Sequence, residues 1–334
     1  MAALYGPGGF YARGEAPAAH FRTSVHASLL FAGAVLQLLH RVDRALGRPD
    51  PLDLVDVGAG RGELLAAVRA AAGRPLRDRL RLTAVEVGPV EQAGVLVVRD
   101  VAELPAVTGL LVANEWLDDV PLEVVEQTAD GPRVVLVAPT GAESMGDPPA
   151  GADAAWLARW WPLTEPGQRA EVGRSRDEAW AAALGRLDRG VAVAVDYGHE
   201  AGRRPPYGTL TGYRGGVQVQ PVPDGSCDLT AHVALDSVAA AGMAAVATET
   251  RLDDQRAALQ ALGVDGRLPP HALAGSDPAA YLAGLQRAGE AAELLDRDGL
   301  GAFGWLVQGV GVPLPFPPVN TRARVRRKPA PPPT

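Results

Sequence analysis

The sequence predicts an α/β fold: a Rossmann-like, mostly parallel sheet with an N-terminal cap and a helical insertion. Three observations predict it. Branched apolar runs without polar alternation recur along the chain, as at residues 52–57 and 191–199, and such runs read as strands buried on both faces. Ala/Leu-rich stretches of helical character separate them. Between the first run and its helix stand three glycines at alternate positions, Gly58, Gly60 and Gly62. Strand, glycine turn and helix is how an open α/β sheet builds a nucleotide site at the carboxyl ends of its strands. Glycine lets the backbone turn with φ > 0 and approach a ligand closely.

The spacing of the glycines narrows the ligand. A dinucleotide fingerprint is GxGxxG, and the position that its third glycine needs is Glu63. Gly62 gives GxGxG instead, with Asp56 two residues before Gly58. That pattern suits S-adenosylmethionine, which has no pyrophosphate to seat. Its amino-acid end carries an ammonium that an acid can meet and a carboxylate that backbone N–H groups can meet. The next predicted strand, at 80–87, delivers Glu86, a carboxylate able to accept both ribose hydroxyls. An acid there serves NAD as well, so Glu86 points to a nucleoside without choosing the cofactor.

Length and composition set bounds. The chain has 334 residues, enough for one large domain or two ordinary ones, and is 47% hydrophobic, enough for a sizeable core. A net charge of −7 leaves no overall nucleic-acid footprint. The single cysteine, Cys227, excludes an intrachain disulfide and a multi-cysteine zinc site. The histidines lack HxH or HExxH spacing, so no metal is expected. No apolar run has the length of a membrane span. The first residues lack the basic start and apolar core of a signal peptide. A cytoplasmic chain is expected, with no membrane or nucleic-acid partner.

Taken in order, residues 1–50 read as the cap and its helix. YGPGGFYARG is an aromatic-flanked turn around Tyr5, Phe10 and Tyr11, and HFRTS leads into a helix over about 29–46. This segment either covers the sheet edge or turns Thr23, Ser24 and His26 toward the cofactor. Residues 51–250 form the core. Its first strand and helix cover 52–57 and about 62–72, and a third strand falls within 94–104, with Asp100 just beyond its apolar run. Asp100 is either an adenine ligand or a solvated turn acid. A fourth strand at 109–116 carries Asn114 and Glu115 at its tip, with Asp118 following. Polar groups at the end of a buried strand are costly unless partnered, which makes NEWLDDVP the second functional stretch.

LEVVEQ and PRVVLVAP flank Asp130-Gly131, a hairpin signal. Residues 140–170 read as a surface excursion with one short helix, followed by a helix at about 175–188. The fifth strand, 191–199, ends in Asp196 and Tyr197. A long Gly-rich loop follows, with Tyr213, Arg214 and His232 as pocket candidates. Asp228 or Thr230 is the expected cap of a helix running to about 241, and 242–250 reads as the sixth strand. Residues 251–300 are a helical insertion, 301–314 a last core strand, and 315–334 a proline- and arginine-rich disordered tail.

ALYGPGGFY, HFRTS, DVGAGRGE, VEV, NEWLDDVP, DYGH, GTLTGYRGG and DLTAHV stand in the order expected of the MidA-like S-adenosylmethionine-dependent methyltransferases. The chain resembles this family over nearly its whole length. The family is similar to the mitochondrial methyltransferases that assist respiratory complex I assembly by dimethylating a protein arginine. The resemblance implies a methyltransferase sheet with its last strand antiparallel, S-adenosylmethionine as cofactor and a protein arginine as substrate. Asp56, Gly58, Gly60, Gly62, Glu86, Asp100 and Asn114 are then the cofactor-binding set. Glu115, with Asp118 and Asp196 in support, is the catalytic set. Asp118 reads equally as a helix cap, and Asp196 as an anchor for its loop. The chain departs from the family pattern at Val25, His26, Gly216 and Ala234, which lie among cleft residues rather than cofactor residues. A non-catalytic cofactor-binding assembly factor and a small-molecule methyltransferase are the alternative functions.

Overall fold

The computed structural model describes Leu4, Gly6, Gly9, Phe10 and residues 24–316. The expectations for Tyr5, Tyr11, Thr23, the His26 side chain and the tail from residue 317 lie outside the described residues.

Seven strands form the central sheet: β1 Leu52–Val57, β2 Leu80–Val85, β3 Val95–Val98, β4 Val107–Asn114, β5 Leu187–Asp196, β6 Glu249–Asp254 and β7 Gly304–Val310. Their order is β6-β7-β5-β4-β1-β2-β3. Pairings from β5 to β3 are parallel, and β7 runs antiparallel to both β5 and β6. The strand order reverses between β1 and β4, and this puts the tips of these two parallel strands on either side of one crevice.

Both faces of the sheet are covered, which is why its central strands are mainly apolar, with Asp53 and Asp56 the buried exceptions in β1. One face carries Leu52, Leu54, Leu110, Val112, Val191 and Val193. Against it pack helices α1 Ser24–Ala27, α2 Leu29–Ala45, α3 Glu63–Ala71, and, further on, α7 Gln255–Ala261 and α8 Pro278–Leu294. Helix α2 starts where Ser28 accepts the Leu30 N–H, and it buries Phe31, Val35, Leu38, Leu39 and Val42 at helical spacing. Each such side chain contributes about 1.5–3 kcal/mol on burial. Phe31 meets Trp305 of β7 edge to face at 5.8 Å. The opposite face carries Val55, Val57, Leu111, Ala113, Ala192 and Ala194, covered by helices α5 Arg174–Leu184 and α6 Leu235–Ala245.

Several elements differ from the sequence reading. The hairpin 123–137 forms, but Thr128 pairs with Gly131, so Ala129 and Asp130 make the turn and Gly131 begins the second strand. Residues 140–170 are not only a surface excursion. Helix α4, Gly151–Trp160, buries Trp156, and Trp161 follows it into a third small core with Val125, Ala170 and Val172 under a four-stranded sheet. The Gly-rich loop contains three short strands, Thr211–Arg214, Val217–Val219 and Asp228–Thr230, in one sheet. Asp228 and Thr230 are therefore strand residues, and α6 starts without a side-chain cap. Residues 242–245 continue α6, and the strand comes later, at Glu249–Asp254. It crosses the boundary expected at 250/251, and the helices of the insertion begin only after it. Among the described residues no helix is long and apolar enough to cross a membrane.

Candidate functional site

The β1 tip is shaped by its glycines. Gly58, Gly60 and Gly62 have φ of 73°, 55° and 87°, a region that side-chain-bearing residues rarely adopt. A Cβ on Gly62 would stand 2.7 Å from Gln92 Cγ, and one on Gly58 would stand 3.2 Å from Trp116. Glu86, just beyond β2, turns its carboxylate into this loop. Its Oε2 accepts the Gly60 N–H at 2.9 Å and its Oε1 the Gly88 N–H at 2.8 Å. A carboxylate has about four acceptor sites, so two remain for a vicinal diol.

Two aspartates of β1 behave differently. Asp53 is buried and fully partnered by the Arg81 guanidinium and the Thr108 N–H, at 2.5–2.9 Å. Asp56 is buried, 4% exposed, with no hydrogen bond to its carboxyl among the described residues. Burial first, then the charges of Glu86 and Glu63, push its pKa up to about 8. A buried acid without a partner beside a glycine turn is a place for a ligand cation.

The β4 and β5 tips carry the second group. Asn114 ends β4, and Glu115 follows with φ of 50°, uncommon for a residue with a side chain. The Glu115 N–H still donates to Val195 O at 2.8 Å, so the ladder holds while the carboxyl swings to the edge. Glu115 Oε1 accepts from Asn114 Nδ2 and from the Ser24 N–H, both at 3.1 Å. Burial, then Asp118, pushes the Glu115 carboxyl up to about 8. Asn114 Oδ1 is buried without a hydrogen-bond partner.

Asp118 and Asp196 lie beneath. Asp196 Oδ2 accepts the Leu117 and Asp118 N–H groups at 3.0 and 3.3 Å. Asp118 Oδ2 accepts from Thr230 Oγ1 at 2.6 Å and from the Tyr197 hydroxyl. Burial, then Asp118, raises the Asp196 pKa well above the carboxylate range, and Arg176 works against that rise. Burial, then Asp118, raises the Tyr197 pKa too, so its hydroxyl stays a donor at neutral pH. Asp118 Oδ1 and Asp196 Oδ1 have no hydrogen-bond partner.

Among the described residues, one internal cation faces these acids. Arg176, from the first turns of α5, is 2% exposed. Its guanidinium donates to the carbonyls of Val120 at 3.2 Å, Ala231 at 2.9 Å, His232 at 3.0 Å, and also Asp118. It ties the β4 tip to the segment after Thr230.

The structure thus brings Glu115, Asp118 and Asp196 together, and places Asp56 and Glu86 with the glycines. Trp116, against Gly58, joins the two groups. Asp118 is not a helix cap; it is the acceptor for Tyr197 and Thr230. Asp100 caps a single 3-10 turn through the Ala102 N–H at 2.8 Å. Ser24 meets Glu115 and Gln255. Tyr197 was visible as the polar tip of a strand. Arg176 was not anticipated, and its one signal is a charge on the helix face that also carries Trp180.

Residues 35–251 match the model of a family described as "Putative S-adenosyl-L-methionine-dependent methyltransferase". A superfamily member from Burkholderia thailandensis, solved bound to S-adenosyl-homocysteine, is 26% identical with a TM-score of 0.75, over 93% of this chain and 86% of that one. A native structure of a protein of the same superfamily and organism is 25% identical with a TM-score of 0.75, over 94% and 87% of the two chains. No curated protein matches the chain.

Proposed function

Because the chain belongs to this family of S-adenosyl-L-methionine-dependent methyltransferases, we propose that it N-methylates the guanidinium of a protein arginine by in-line transfer. One observation carries the choice of substrate. Three carboxyls, Glu115, Asp118 and Asp196, share one edge, and among the described residues Arg176 is the cation that faces them from within. An arriving guanidinium restores the balance. It favours the ionised acids and finds in Glu115 an acceptor for its planar N–H groups.

Bound S-adenosylmethionine supplies a methyl group activated on a sulfonium. The Burkholderia thailandensis relative holds S-adenosyl-homocysteine, which is what remains after such a transfer. In this chain Glu86 would accept the ribose hydroxyls, Asp56 would face the ammonium, and the Gly58–Gly62 turn would admit the backbone contacts. Trp116 and the Glu115 backbone then set the substrate nitrogen in line. Methyl displacement depends on such alignment more than on acid–base help.

Glu115→Gln keeps the shape and removes the charge. It should leave affinity for S-adenosyl-homocysteine within about threefold and lower single-turnover radiolabel transfer to a partner protein at least about tenfold, roughly 1.4 kcal/mol. An unchanged rate moves the assignment to Asp118 or Asp196. A wild-type chain that binds cofactor and partner tightly but transfers nothing is a non-catalytic assembly factor.

A further inference from the structure

Methylating an arginine releases a proton. Guanidinium and sulfonium give methylguanidinium, a neutral thioether and one H⁺: the N–C bond forms, the C–S bond breaks with its electron pair going to sulfur, and one N–H proton leaves. The acids beneath the β4 and β5 tips are poorly placed to export it. Asp118 Oδ2 already accepts two hydroxyls, Asp196 Oδ2 accepts two backbone N–H groups, and both residues are cut off from water.

Resting on the arginine reading, we propose that the imidazole of His232 takes the proton from the substrate nitrogen and passes it to water. His232 lies on the rim of the acid cluster and is exposed. Its main chain is fixed from two sides: the N–H donates to Thr209 Oγ1 at 2.9 Å and the carbonyl accepts from Arg176 Nη1 at 3.0 Å. Its ring stands edge-on to Tyr197, with centroids 5.2 Å apart and planes at 70°. The hydroxyl of that tyrosine reaches Asp118. His232 therefore stands between the cluster and bulk water. Burial and two charged groups bear on its charge. Burial of part of the ring and Arg176 lower its pKa, Asp118 opposes them, and the net shift is downward. The Tyr197 side chain facing it is uncharged at neutral pH. The ring is thus neutral there and keeps a lone pair for a proton.

The test uses the full chain with radiolabelled S-adenosylmethionine and single-arginine peptides, with the methylated residue identified by mass spectrometry. His232→Ala and His232→Gln should bind S-adenosyl-homocysteine within about threefold of wild type and transfer at least about tenfold more slowly at neutral pH. Added imidazole should restore the alanine variant, which a purely structural histidine would not permit. The His232 ring resonances should also shift when such a peptide joins the S-adenosyl-homocysteine complex. Wild type that labels arginine while both variants keep its rate overturns the role of His232 alone. Wild type that labels no arginine overturns the substrate reading, and this inference with it.

Discussion

The two halves of the site solve opposite problems. On the cofactor side, Glu86 is satisfied by N–H groups of its own neighbourhood, Gly60 and Gly88. The Glu86 contacts there are made by backbone alone, with spare acceptor sites for a ligand, and burial pushes Asp56, an acid of that half, up to about 8. On the proposed substrate side, Glu115 and Asp118 draw their partners from Ser24, Arg176, Tyr197 and Thr230, up to 112 residues away. Carboxyl oxygens there remain unpartnered, and burial raises the pKa of Glu115 and Asp196. The first half is pre-organised by local backbone. The second is a long-range assembly in which several acids face the buried cation Arg176.

Three experiments sharpen that contrast, and the largest effect belongs to the cation. Arg176→Met removes the guanidinium and leaves four carbonyls and the acids around them uncompensated. Chemical denaturation should show a loss of about 3–5 kcal/mol, the usual cost of breaking a buried charge arrangement from one side. A loss below about 1 kcal/mol would mean that the acids repack without it.

Next comes Glu86→Ala. It should weaken S-adenosyl-homocysteine binding by about 2–3 kcal/mol in calorimetry through lost charge-assisted bonds, with little change in the stability of the β4 and β5 tips. Equal losses in both halves would erase the distinction drawn here.

The smallest effect is a pH slope. Burial pushes the folded Glu115 carboxyl up to about 8, from an ordinary value of 4.5. Its contribution to stability is full below the unfolded pKa and is lost as pH rises toward 8. One such group changes stability by at most about 1.4 kcal/mol per pH unit. Between pH 6 and 7, wild type without cofactor should therefore lose about 1 kcal/mol more than Glu115→Gln. Parallel stability curves for the two proteins would place the Glu115 carboxyl in a wetter environment than the geometry describes.

What the sequence made legible follows the same division. The glycine turn, Asp56 and Glu86 were readable because their chemistry is written within one strand–turn–helix unit. The central strands were readable because a sheet covered on both faces demands mainly apolar runs, and two aspartates do not hide the pattern in β1. Strand β6 was not, because it lies at the sheet edge and its ETRLDD sequence is half exposed and charged. The apolar and small residues just before it, in 242–245, belong instead to the end of α6. The three-stranded sheet at 211–230 was hidden by short strands broken by Gly and Pro. The partners of Asp118 and Glu115 were out of reach for another reason. Hydrogen bonds between segments this far apart leave no periodicity, and Arg176 sits in a helix whose face gives no hint of the carbonyls that it gathers.

Ser24 has a consequence for the timing of synthesis. Its N–H holds Glu115, and its hydroxyl exchanges hydrogen bonds with Gln255, 231 residues later in the chain. Four residues on, Ser28 donates to Glu290, 262 residues away. On the ribosome, where chains emerge from the N-terminus at about 5–20 residues per second, the glycine loop can make its bonds to Glu86 once residue 88 is out and meets its later neighbours Glu91, Gln92 and Trp116 soon after. The segment that steadies Glu115 must wait for the last quarter of the chain. A nascent or prematurely terminated protein could thus hold a finished cofactor loop beside an unfinished substrate edge, so that methyl transfer is withheld until the whole message has been read.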